Sequence, residues 1–85
     1  MEIKVFSMKG CQHCDKLKNK LTENKIDFIE IDVDENEKLY KSFSKKVKND
    51  LLPAVLIDKT AFLPDKSFKT IDEAVVQIKT HLQVL

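Results

Sequence analysis

The 85-residue chain has no arginine and no tryptophan, one glycine, two prolines and two cysteines. Without a guanidinium fork, no side chain can grip a phosphate or carboxylate bidentately, so anionic partners must be held by backbone amides and single ammonium groups. The 15 basic and 14 acidic residues leave a net charge of +1, which gives no electrostatic reason to expect nucleic acid as a partner. No apolar run is long enough to span a membrane, and the opening MEIKVFSMKG lacks the apolar core of an export signal. A cytoplasmic, reducing setting is therefore expected. In such a setting two nearby cysteines are more often catalytic or metal-binding than a structural staple. With no repeat, low-complexity tract or Pro/Gly/Ser-rich linker, residues 1–85 read as a single domain.

The chain does carry clear periodic patterns. EIKVFS alternates as a strand over about 2–7, and Gly10 then breaks it. Cys11, Cys14, Leu17 and Leu21 recur at helical spacing, with Asn24 and Lys25 suited to the helix end. Residues 26–33, IDFIEIDV, read as a second strand. Asp34 and Glu37 have the spacing of a capping box, opening a helix expected to bury Leu39, Tyr40, Phe43 and Val47. AVLID after Pro53 and TAFL after Asp58–Lys59 make a hairpin over 54–63. Thr70 and Glu73 form a second capping box before a helix whose apolar face is Ile71, Ala74, Val75, Ile78 and Leu82. Phe6, Phe28, Phe43 and Phe62 are expected in the core, and Phe68 exposed in the loop before the last helix, beside the substrate groove. The order is β-α-β-α-β-β-α. A parallel first pair with a right-handed crossover and a closing antiparallel hairpin give a mixed sheet with helices on both faces.

Both cysteines lie in CQHC, at the junction of the first strand and first helix. Unpaired N–H groups at a helix start stabilise an anion, so a thiolate at Cys11 forms more easily there than on a free cysteine. Lys9 adds positive charge, and His13 can support the thiolate by charge or hydrogen bonding. Cys14, one turn on and within the Leu17–Leu21 stripe, can resolve a mixed disulfide formed at Cys11.

CQHC after a first strand, with LLPAVLI some forty residues later, resembles the glutaredoxin family. The resemblance implies a thioredoxin-like fold with a four-stranded mixed sheet flanked by three helices. It implies glutathione-dependent thiol–disulfide exchange with protein disulfides or glutathione mixed disulfides. It also implies a cis proline at Pro53, leaving the Leu52 backbone free to pair with an extended thiol substrate. Gln12 and His13 stand where many members have proline and tyrosine, and Met8 where they have lysine. The family's Gly-Gly-x-Asp-Asp segment is absent; SFKTID, residues 67–72, is the nearest equivalent, with Lys69 and Thr70 as candidate carboxylate ligands.

The expected site is thus Cys11 and Cys14, with Lys9, Gln12, His13, Leu52, Pro53, Lys69 and Thr70 around the substrate. No tightly bound cofactor and no metal is expected, and the protein is expected to act as a monomer. A structural zinc is not expected, because it needs four ligands and only His13 and the distant His81 could join the cysteines. Two alternatives remain. A [2Fe–2S] cluster shared between two copies with glutathione would make the chain a carrier instead of an enzyme. A redoxin recharged by a thioredoxin reductase would keep the fold and lose the glutathione site.

Overall fold

The alternation in the first strand sorts the whole core. In the computed structural model, which describes residues 2–84, Ile3 and Val5 point to one face of the sheet and Phe6 to the other. The elements are β1 (Ile3–Ser7), α1 (Gln12–Glu23), β2 (Ile29–Asp32), α2 (Glu37–Val47), β3 (Ala54–Ile57), β4 (Thr60–Phe62) and α3 (Ile71–Val84). The sheet order is β2-β1-β3-β4. β1 and β2 are parallel, while β3 runs antiparallel to β1 and to β4. This is the expected thioredoxin-like arrangement.

On one face, α1 and α3 bury Leu17, Leu21, Ile71, Ala74, Val75 and Ile78 against Ile3, Val5, Val55 and Ile57. On the other, Phe43 of α2 packs against Phe6, with ring centroids 4.3 Å apart. Period 2 in the strands and period 3.6 in the helices bring these side chains together.

The structure corrects several local expectations. β2 is shorter than 26–33 because those first residues finish α1. Lys25 adopts a left-handed φ of 58°. Its N–H bonds Thr22 O and the Ile26 N–H bonds Leu21 O, the paired bonds of a Schellman ending. Ile26 and Phe28 are consequently half-buried beside the α1–α3 core instead of extending the sheet, so Phe28 is not a fully buried core residue.

Asp34 is not the cap of α2. The cap position is Asn36, which makes no side-chain cap bond, because its amide donates back to Asp32 O at 3.0 Å. Asp34 lies in the preceding turn, its N–H bonded to Asp32 Oδ1. Leu39, expected inside, is half exposed, and Tyr40 and Val47 are only partly buried. Leu39 shares a helix side with Phe43, so its exposure shows that burial on this side begins only after the first turn of α2. Phe68, expected outside, is 4% exposed and belongs to the α1–α3 core. Lys25, Lys48, Asp58 and Asp65 all take left-handed backbone that no glycine marks.

Candidate active site

Strand direction assembles the site. The end of β1 leads to Cys11; because β3 is antiparallel, its start lies beside that end, with Phe6 paired to Ala54. Pro53, the residue before Ala54, is buried, and the Leu52–Pro53 bond is cis. The end of β4 returns to the same edge, Phe62 pairing with Val55, so residues 63–70 and the start of α3 border it too.

The turn into α1 needs Gly10, whose φ is 81°; a side chain would be strained there despite open space around it. Cys11 is the N-cap residue, and its Sγ accepts the Cys14 N–H at 3.2 Å. A sulfur thus occupies the place usually filled by a serine or aspartate oxygen. The sulfurs of Cys11 and Cys14 are joined in a disulfide with a Cα–Cα separation of 5.2 Å. Cys11 is half-buried and Cys14 wholly buried. On reduction, the same helix-end donor would face a thiolate on Cys11, and unpaired helix-end donors stabilise an anion.

Two cavities flank this turn. One, of about 410 Å³, lies between α1, the Leu51–Pro53 segment and the loop into α3. It gathers His13, Leu52, Pro53, Lys69 and Thr70 from the expected site. Phe68 lines it as well, as expected for a residue beside the groove; Lys16, Leu51 and Asp65 also line it and were not anticipated. Lys16 had a usable signal, since it stands one turn after His13 on the same face. Asp65 had none, because its approach depends on how the loop closes. The Thr70 hydroxyl accepts the Glu73 N–H at 3.1 Å, so it caps α3 while bordering the groove.

Lys9 lines the other cavity, of about 490 Å³, together with Met8 and Gly10. Gln12 is exposed and lines neither. In this second cavity Asp15, Lys18 and Glu30 are engaged with one another, while Lys9, Asp32 and Glu35, which also line it, enter no ion pair among the described residues. Lys18 bridges Glu30 and Asp15, and the buried Ser7 hydroxyl donates to Glu30 at 2.8 Å. The hydrogen bond to Glu30 raises the Lys18 ammonium pKa. That same bond, then the one from Ser7, holds the Glu30 carboxyl below the usual carboxylate range.

Among the described residues, no three His, Cys, Asp or Glu side chains converge as a metal site. An iron–sulfur cluster takes four ligands, and one chain offers two cysteines, so the residues of a single chain do not fit one. No helix among the described residues is long and apolar enough to cross a membrane.

Comparison with known proteins agrees with this geometry. The glutaredoxin family profile matches residues 3–62. The chain is 31% identical over 74 residues to the Gene 56 protein of Mycobacterium phage L5, covering 82% of this chain and 72% of that one. It is 49% identical over 39 residues to the N-acetyl-S-hydroxy-L-cysteine reductase of Bacillus subtilis (strain 168), covering 46% of this chain and 42% of that protein. Among solved structures, the glutaredoxin-like protein NrdH-redoxin from Escherichia coli, described as having a thioredoxin-like activity profile, superposes with a TM-score of 0.69. The identity there is 19%, covering 85% of this chain and 92% of that one, a likeness of fold. The chain therefore belongs to the glutaredoxin family, as a thiol–disulfide oxidoreductase with a CxxC pair.

Proposed function

We propose that the protein reduces protein disulfides and glutathione mixed disulfides, and that glutathione recharges it. The Cys11 thiolate attacks one sulfur of the target, forming a mixed disulfide and releasing the other sulfur as a thiolate that takes up a proton. Cys14, deprotonated, attacks the Cys11 sulfur, frees the second target thiol and closes the Cys11–Cys14 disulfide. Two glutathione molecules then reduce that disulfide and leave as glutathione disulfide, so two electrons pass from glutathione to the target.

One observation carries the reading: the groove beside the dithiol is bordered by both Lys16 and Lys69, and glutathione has two carboxylates. Among the described residues neither lysine enters an ion pair. Within this reading the Leu52 backbone pairs with the extended substrate, the site is cytoplasmic, and the protein works as a monomer without a bound cluster.

A second reading, recharging by a thioredoxin reductase, is supported by the missing Gly-Gly-x-Asp-Asp segment and by the likeness to NrdH-redoxin. The deciding experiment follows NADPH consumption by the oxidised protein with glutathione plus glutathione reductase, or with thioredoxin reductase alone. Turnover with glutathione is expected. Turnover only with thioredoxin reductase would replace the first reading by the second.

A further inference from the structure

The run Leu63–Phe68, which contributes Pro64, Asp65 and Phe68 to one wall of the groove, is tied to the opposite wall by the side chain of Lys66. Lys66 Nζ donates to Val47 O at 3.3 Å and to Lys48 O at 3.0 Å. These carbonyls belong to the end of α2, where Lys48 takes a left-handed φ of 55°. The last carbonyls of a helix have no partner within it and carry the negative end of its dipole, so an ammonium is well placed there.

Each wall is braced separately. In the first, Ser67 N–H and Asp65 N–H bond Leu63 O and Phe68 O, both at 2.8 Å. The Gln77 amide donates to Ser67 O, and Phe68 is anchored in the core. In the second, Asn49 N–H bonds Ser44 O at 3.1 Å, the Ser44 hydroxyl donates to Asn49 O, and the Asn49 amide donates to Leu51 O. The groove lies between these walls, with Leu51 and Leu52 on one side and Pro64, Asp65 and Lys69 on the other. Lys66 is exposed and does not line it.

We propose that Lys66 is a positioning residue that sets the spacing of the two walls and thereby the affinity for extended, peptide-like disulfides. The proposal rests on the reading of this groove as the substrate site. A substrate that lies between the walls feels their separation, while a small disulfide that reaches only the sulfurs does not.

The test is a single turnover of fully reduced protein, which needs no recycling system, with a glutathionylated peptide and with hydroxyethyl disulfide. For Lys66→Met, the half-saturating peptide concentration should rise about three- to tenfold, the effect of one or two lost hydrogen bonds. The limiting rate and the reaction with hydroxyethyl disulfide should not change, and Lys66→Arg should restore wild-type behaviour. Unchanged peptide binding in Lys66→Met overturns the proposal, as does equal loss with both substrates. Leu51→Trp, which fills the groove directly, separates the two failures. If it weakens peptide binding and Lys66→Met does not, the tether is wrong and the groove reading stands. If neither variant weakens binding, both are wrong.

Discussion

The two cavities beside the start of α1 are similar in size, about 410 and 490 Å³, and differ in how their lysines nearest α1 use charge. In the larger one, Ser7, Glu30, Lys18 and Asp15 satisfy one another across β1, β2 and α1. That network is fastening: it joins the helix carrying the cysteines to the strand beneath it. In the smaller one, Lys16 and Lys69 approach from different elements and, among the described residues, pair with no carboxylate. Charge already compensated within the fold has little left for a ligand, whereas uncompensated charge at a groove is available to one. The difference supports the proposed substrate groove on the His13 side and gives the Lys18 side a structural role.

The largest effect should come from the residue between the cavities. Cys11→Ser should reduce disulfide turnover to the uncatalysed background. Cys14→Ser should instead trap one glutathione on Cys11, visible by intact mass. Next, reversing the groove's charge with Lys16→Glu and Lys69→Glu together should raise KM for a glutathionylated peptide about five- to tenfold. Lys18→Met should leave that KM alone; an equal rise would end the distinction between the cavities.

His13 lines the groove next to the second cysteine. His13→Tyr should lower the potential of the pair by about 10 to 30 mV, the scale of one hydrogen bond. Equilibration with glutathione would measure it, and an unchanged or higher value removes His13 from the redox chemistry.

On the other side, Lys18→Met should shift the urea midpoint by the equivalent of about 0.5–1 kcal/mol, small because the ion pairs are partly exposed. The smallest expected effect is in acid. Because Lys18 and Ser7 hold the Glu30 carboxyl below its ordinary value of 4.5, its contribution to stability is present above that pH. It is lost as pH falls through the lowered folded-state value. Glu30→Gln should flatten that part of the urea-midpoint profile, and a profile of unchanged slope would show that Glu30 contributes nothing to it.

The segments 64–69 and 51–52, which supply groove-lining residues, are also where local patterns were least informative. Element order, the Gly10 turn, the Thr70–Glu73 cap and the Cys11–Cys14 pair were legible because each depends on neighbours within a few positions. The ends of β2 and α2 were less legible. Alternation continued through Ile26 and Phe28 although a Schellman ending had already claimed them, and Asp34, Asn36 and Asp32 offered competing turn and cap bonds. Leu39 follows the helical pattern yet is half exposed, since burial depends on what stands opposite a residue.

By itself the amino-acid sequence determined the dithiol, its place at a helix start, and the alternating faces that sort into two core layers, all consequences of short-range spacing. Only the tertiary structure decided which residues meet across the chain. It turned Lys9 away from the groove and brought Lys16 to it, buried Phe68, and set Lys66 on the carbonyls of α2. Those outcomes depend on strand direction and loop closure, which join segments far apart in sequence and leave no periodic mark on either one.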